Sequence, residues 1–341
     1  MNMKLVSFII PCYNSSAYMR HCIDSILPCA EESEILIIND GSTKDNTLEI
    51  AKSYEQKYPN ICRAIDKPNG GHGSVINTGI KEAKGLYIRV VDSDDWLSTD
   101  VLKTLIAKIK EMNDKNQSPD LYVTNFVYDK AGKTHKITMN YRKALPKDTI
   151  LTWENIDKFG MGHYLLMHSL TYKTEVVRKS GLILPEHTFY CDNLYAYVPL
   201  EYVDTVYYLD ETLYHYYIGR DDQSVNEKVM ISRLDQQYRV TYQMLNDVNV
   251  MDITNENKKN YLLNYMSIIM TVTSILSIRS HENKWLMEKE KLWHYVKEKD
   301  IRLYKKLRYS LLGRAMNLKG AIGRKISEIG YTIANKVYGF N

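Results

Sequence analysis

The segment VVDSDDW, Val90 to Trp96, places three carboxylates, Asp92, Asp94 and Asp95, within four positions directly after the apolar run YIRVV. Carboxylates this close repel one another, and a cation among them would relieve the crowding. An extended strand end would set Asp92 and Asp94 on one side. Oxygen donors in this number suit a hard divalent ion, Mg²⁺ or Mn²⁺, which keeps positions open for substrate phosphates. The same residues could instead open a helix near Leu97, with Ser93 or an aspartate as its cap.

Three other polar clusters have similar settings. In NDGS, Asp40 precedes Gly41, which permits close backbone approach. Its carboxylate could accept from a nucleobase N–H or simply shape a turn. PCYN offers Tyr13 for stacking, and Asn14 as a donor or as a helix N-cap. NGGHG sets Asn69, Gly70, Gly71 and Gly73 around His72 ahead of a helical run, and amides at a helix start attract anions. The spacing is not the dinucleotide fingerprint G-x-G-x-x-G, and it follows a third strand, not the first.

These clusters must be positioned by the elements between them. LVSFII, EILIIND, Ile61 to Ile65 and LYIRVVD read as strands. Residues 15–27, STKDNTLEIAKSYEQKY and the run from NGGHG to Lys84 read as helices. Such alternation predicts a parallel sheet covered on both faces. Ligands then sit at the carboxyl ends of the strands, where PCYN, NDGS and DSDD fall. A helix over Thr99 to Met112, a strand at Leu121 to Val127 and a turn at DKAGK leading to HKITM predict a further hairpin. After about Val229 the pattern is helical. Tyr261 to Ile278 is long and uncharged, but Asn264, Ser267, Thr271, Thr273, Ser274 and Ser277 interrupt it, so it reads as a buried helix and not a membrane span.

With 341 residues, 44% hydrophobic and 25% charged, the composition is that of a globular protein, and a net charge of +4 does not argue for nucleic acid. Tyrosine outnumbers phenylalanine 28 to 5, and its flat apolar face with a hydroxyl suits sugar surfaces. Five cysteines without CxxC spacing argue against a disulfide framework or a zinc site and for a reducing cytoplasm. KLVSFIIPCYN is stopped by Pro11 and reads as a strand, not a signal peptide.

The order PCYN, NDGSTKDNT, NGGHGSVINTGIKEAKGLYIRVVDSDDW resembles the family 2 glycosyltransferases of the GT-A fold, densely over residues 5 to about 97 and more loosely to about 225. The resemblance implies an α/β, Rossmann-like fold with a mostly parallel central sheet, flanking helices and a helical C-terminal region. Residues 1–98 would form the nucleotide-sugar half, 99–228 the acceptor half, and 229–341 the helical region. It further implies a nucleotide-diphosphate-sugar donor, notably a UDP-sugar, a divalent cation (Mn²⁺ or Mg²⁺), and inversion at the anomeric carbon. On that analogy Asp40 and Gly41, assisted by Pro11, Tyr13 and Asn14, meet the uracil. Asn69, Gly70, Gly71, His72 and Asn77 line the donor. Asp92 with Ser93 faces the ribose or sugar, and Asp94, with Asp92, ligates the metal.

The pattern departs from the family in two places. Family members often carry Arg where this chain has Ile76, so that donor contact would be lost or supplied from elsewhere, as by His72 or Lys67. In HTFYCDNLYAYVPLEY, Cys191 replaces the usual Glu while Asp192 keeps the position of the general base; its alternative is the N-cap of a helix over Asn193 to Tyr202. LYHYYIGRDDQSV resembles the segment that closes over the diphosphate. Arg220 and Ser224 would contact phosphate there, and His215 would ligate metal or phosphate or be a satisfied strand histidine. His163 and His168 receive no role. The function implied is a cytoplasmic or peripheral, metal-dependent, inverting transferase. It would act on a glycan or lipid-linked acceptor in bacterial surface-polysaccharide synthesis, without nucleic acid and compatible with a homo-oligomer. The rivals are a catalytically silent carbohydrate-binding or scaffold subunit, which Cys191 keeps open, and a sugar nucleotidyltransferase. The latter would want a Gly-rich, Arg/Lys-bearing loop where this chain has PCYNSSAY.

The last forty or so residues interleave Arg302, Lys305, Lys306, Arg308, Arg314, Lys319, Arg324, Lys325 and Lys336 with leucines and isoleucines. Such a basic amphipathic segment either lies on an anionic membrane surface or packs on its neighbours with a solvated basic face.

Overall fold

The computed structural model describes residues 4–130, 136–160, 162–218 and 226–338. The chain forms two compact units: Met1–Asp157 with Leu165–Gly219, and Lys158–Tyr164 with Arg220–Asn341. The two segments expected as halves of one α/β domain share a single sheet. The helical unit takes over near 220, and it also includes the short segment 158–164, which no sequence signal marked.

The first unit opens with β1 (Lys4–Cys12), α1 (Met19–Ile26), β2 (Glu34–Asp40), α2 (Thr47–Lys57), β3 (Cys62–Lys67), α3 (Gly71–Glu82) and β4 (Gly85–Val90). Then come β5 (Trp96–Leu97), α4 (Thr99–Asp114), β6 (Leu121–Lys130), β7 (Ile137–Met139), β8 (Ile150–Thr152), β9 (Leu170–Lys173), α5 (Thr174–Lys179), α6 (Asp192–Tyr197) and β10 (Thr205–Ile218). Among the described residues the sheet runs β3-β2-β1-β4-β9-β6-β10-β5, with β7 on β6 and β8 on β10. The first four strands are parallel, as their alternation with helices predicts. β9 is antiparallel to both β4 and β6 and so joins the two halves.

All seven residues of β2 are buried, as are all but the first of β1, which explains their unbroken apolar runs. Pro11 is tolerated in an inner strand because β1 lies past its last rung with β4, Ile9 opposite Val90. The expected hairpin is present as β6 antiparallel to β7, with residues 131–135 outside those described. The tyrosines answer to packing more than to sugar: Tyr87, Tyr122, Tyr172, Tyr195, Tyr208 and Tyr214 are among the largest fully buried side chains.

The second unit holds α7 (Glu227–Ser232), α8 (Leu234–Asp247), α9 (Glu256–Arg279), α10 (Asn283–Lys299), α11 (Ile301–Arg308), α12 (Leu311–Ala315) and α13 (Gly320–Tyr338). α9 is long and apolar enough to cross a membrane, yet 72% of its apolar window is buried inside the protein. Its hydroxyls are used there: the Thr241 and Thr273 hydroxyls are 2.8 Å apart, and Trp293 Nε1 donates to Ser274 Oγ at 3.2 Å.

α3 carries His72 in its first turn and lies close against β1, because Gly79 has no side chain to hold it off. A Cβ there would stand 2.5–2.7 Å from the side-chain carbons of the fully buried Ile9. Gly79→Ala is therefore expected to lower stability by about 1–3 kcal/mol despite the better helix propensity of alanine. Urea unfolding would show a lower midpoint at unchanged slope; an unchanged or higher midpoint would mean that α3 can retreat from the sheet.

Candidate active site

β4 ends at Val90, and the carboxylates that follow lie in a turn, with the Asp95 N–H donating to the Asp92 carbonyl at 3.0 Å. The strand alternation expected to pair Asp92 with Asp94 therefore does not apply. It is Asp92 and Asp95 that converge. The cap reading also fails: β5 intervenes, and α4 starts at Thr99 after Ser98. Asp95 is 1% exposed. Its Oδ2 accepts from the Tyr214 hydroxyl at 2.6 Å and its Oδ1 from the Tyr217 N–H at 2.8 Å. The Asp92 N–H donates back to the Tyr214 oxygen at 3.2 Å, and Ser93 Oγ pairs with Ser15 Oγ at 2.9 Å, which ties the turn to the segment after β1.

Two imidazoles face this turn. His72 Nε2 is 2.7 Å from Asp92 Oδ1. Burial opposes protonation of His72, but the charge and hydrogen bond of Asp92, with Cys191, outweigh it and raise its pKa well above the usual imidazole range. Burial likewise opposes ionisation of Asp92, yet the charge and hydrogen bond of His72 hold its pKa below the ordinary carboxylate value. His168, which sequence reasoning left without a role, precedes β9 and brings Nε2 to 4.0 Å from Asp92 Oδ2. Burial, with the charges of Arg89 and His72, depresses His168 to about 4 against the pull of Asp92, so its ring is neutral near pH 7. Its ring stacks on Tyr216 at 4.5 Å. Arg89, fully buried, holds the His168 carbonyl and the Thr171 hydroxyl.

Donor atoms of Asp92, Asp95 and His168 all lie within 4.8 Å of one another. Burial and the neighbouring charges of Asp92 and Asp94 push Asp95 well above its ordinary pKa, against its two hydrogen bonds. Two carboxyl groups and a neutral imidazole make a donor set that fits a divalent cation.

The NGGHG segment works differently from the expectation that its amides are open to an anion. The Gly70 and Gly71 N–H groups donate to the two oxygens of Asp40, at 2.9 and 2.7 Å. Asp40 Oδ1 also accepts from Lys67 Nζ at 2.7 Å, and Oδ2 from Asn69 Nδ2 at 3.1 Å. A carboxylate of the chain itself thus occupies the start of α3, and both its oxygens are engaged. Gly41, at φ +65, lies so close to Asn69 that a Cβ would meet its nitrogen at 2.8 Å.

α3 in turn holds the loop that delivers Asp192. The Asn77 side chain both donates to the Leu184 carbonyl and accepts from the Leu184 N–H, at 2.8 and 2.9 Å, and the His187 N–H donates to the Gly70 carbonyl. Gly73 permits close contact with Leu184, Pro185 and Cys191. Cys191 Sγ comes to 3.7 Å from His72 Nδ1. Asp192 is the first residue of α6 and Cys191 its N-cap, so the cap reading of Asp192 is corrected, and the helix gives way to a 3₁₀ turn at Val198–Tyr202. Burial raises the pKa of Asp192; Asp92 adds to this, and His72 opposes it.

Of the remaining expectations, Tyr13 is 51% exposed at the end of β1. Asn14, at φ +48, accepts from the Thr43 and Lys44 N–H groups; α1 begins later, at Met19, so Asn14 is not its cap. His215 is not part of the group formed by Asp92, Asp95 and His168. Tyr214 and Tyr216 turn to His168, and alternation sends His215 to the other face, 3.2 Å from Asp129 and stacked on Trp96. Ile76 is fully buried and supplies no donor contact. Arg220 and Ser224 lie outside the described residues.

Residues 7–170 match the family model described as Glycosyl transferase family 2. The chain is 42% identical over 108 residues to the uncharacterized glycosyltransferase EpsJ of Bacillus subtilis (strain 168), a stretch that is 31% of each protein. It is 32% identical over 226 residues to the uncharacterized glycosyltransferase MG025 homolog of Mycoplasma pneumoniae, covering 64% of this chain and 70% of that one. The fold resembles that of S. aureus TarS 1-349 in complex with UDP-GlcNAc, with a TM-score of 0.52 at 19% identity over 90% of this chain and 91% of that one. The ordered motifs at the strand ends, the mixed sheet of GT-A type and the extent of these matches lead to one conclusion: the chain belongs to glycosyltransferase family 2.

Proposed function

We propose that the chain transfers a sugar, with inversion, from a nucleotide-diphosphate sugar such as a UDP-sugar to a hydroxyl of a glycan or lipid-linked acceptor in bacterial surface-polysaccharide synthesis. The observation that carries this reading is that His72, 2.7 Å from Asp92, also contacts Cys191, the residue just before Asp192, so that its charge is felt by two carboxylates 100 positions apart. Asp92, Asp95 and His168, with Asp94 beside them, would hold a divalent ion, Mn²⁺ or Mg²⁺, which would supply positive charge for the diphosphate oxygens. His72 provides a cation in the place where Ile76 leaves none. Tyr13 offers its exposed face to the nucleobase, while Asp40 and Asn77 act by holding the loops. Free cysteines at all five positions accord with work on the cytoplasmic side.

Asp192 accepts the proton of the acceptor hydroxyl as that oxygen bonds to C1 of the donor sugar. The bond from C1 to the diphosphate oxygen breaks, and the electron pair leaves with the diphosphate. A positioned base contributes about 10²–10⁴-fold, and the raised pKa of Asp192 makes it a stronger base than an exposed aspartate.

Asp192→Asn is expected to lower kcat by about 10²–10⁴-fold with little change in the KM for donor. Because Asp192 works ionised, kcat/KM of the wild type rises with pH through a value above the ordinary 3.8, and the variant loses that limb. Turnover of UDP-sugars by both proteins across pH checks this, and wild-type kcat in the variant would remove Asp192 from the mechanism. Mn²⁺ at a hundredfold its Kd stabilises the folded chain by about 2.7 kcal/mol, which raises the Tm by roughly 5 °C or more. His168→Ala and Asp92→Asn should each lose most of that rise in a thermal melt without any substrate. An undiminished rise in both would place the ion elsewhere.

A further inference from the structure

On α13, Ile322, Ile326, Ile329 and Ile333 are exposed by 80%, 54%, 52% and 58%. Their spacing of four, three and four residues sets them in one ridge, within about 60° of the helix circumference at 100° per residue. The opposite face is already engaged within the helical unit. Gly323 and Ser327 are buried there, and Ser327 Oγ donates to the Ala315 carbonyl at 2.6 Å. Tyr331 packs on Ile275, Ile278 and Met316. The two expectations for the tail are thus not exclusive: one face packs, and the other is left bare. Leu311 and Leu318, just before α13, are also exposed.

The charge of the chain is divided in the same way. Residues 301–341 carry nine Lys and Arg and one Glu, a net of +8, while the preceding 300 carry a net of −4. Arg302 pairs with Asp252 and Asp300. Among the described residues, Lys305, Lys306, Arg308, Arg314, Lys319, Arg324 and Lys325 have no carboxylate partner; the Glu328 carboxylate faces His281.

We infer that α13 docks the chain on an anionic phospholipid bilayer, its isoleucine ridge entering the acyl boundary and cations of the same segment, such as Lys325, which flanks the ridge, meeting headgroup phosphates. A bilayer satisfies both features at once. Nucleic acid would answer the cations but leave the ridge wet. A second copy would cover the ridge but bring two sets of unpaired cations together. The inference does not rest on the proposed reaction.

The test is flotation of the full chain with vesicles of phosphatidylglycerol mixed with phosphatidylcholine, against phosphatidylcholine alone. The wild type should float with the anionic vesicles, and added salt should weaken this. Ile322→Asp with Ile329→Asp, at exposed positions, should lower binding by roughly tenfold or more while circular dichroism stays unchanged. Lys319→Glu with Lys325→Glu should lower it as well, and inorganic phosphate at matched ionic strength should not release the protein. The inference is overturned if the wild type does not bind anionic vesicles or if both variants bind like it. It is also overturned if phosphate alone releases the chain, or if light scattering shows a dimer that the isoleucine variant splits.

Discussion

The crowding of carboxylates at the end of β4 is the constraint on which the rest of the site depends. Asp92, Asp94 and Asp95 share one turn, and the buried Asp95 resists ionisation because of its neighbours. His72 answers part of that charge from α3, at 2.7 Å from Asp92. The donor atoms of Asp92, Asp95 and His168 remain within 4.8 Å of one another, a grouping that fits a divalent cation.

His72 can do this only because its helix is fixed at both ends of its reach. Asp40 engages the first amides of α3 and Lys67, so that the end of β2 and the start of α3 move as one piece. Gly79 lets the helix sit against β1, and Asn77 holds Leu184 from its other side. The loop so held ends at Cys191 and Asp192. The proposed base is therefore placed by the same helix that carries the imidazole, and changes in one are felt by the other.

The parallel strands and helices of the first hundred residues were legible because each is short, strongly periodic and ended by turn residues. The polar clusters at the strand ends were legible for the same reason. What local pattern misled on was side-chain direction. DSDD looked like a strand end, but it is a turn, which brings the buried Asp95 close to Asp92 as well. The glycines of NGGHG looked open to phosphate, but Asp40 reaches their amides across the sheet edge. His168 and Tyr214 could not be found from spacing, because β9 and β10 bring them to β4 from far along the chain, where Arg89 of β4 holds the His168 carbonyl. His215 could be read as a ligand or as a satisfied strand histidine, and strand alternation sets it beside Asp129 and Trp96.

The most direct measurement is the affinity of UDP for the chain with and without Mn²⁺, by titration calorimetry on the wild type and on Asp95→Asn. If the acidic turn gathers an ion that grips the diphosphate, Mn²⁺ tightens UDP binding by roughly tenfold or more in the wild type, about 1.4 kcal/mol, and much less in the variant. UDP affinity indifferent to Mn²⁺ in the wild type would contradict it.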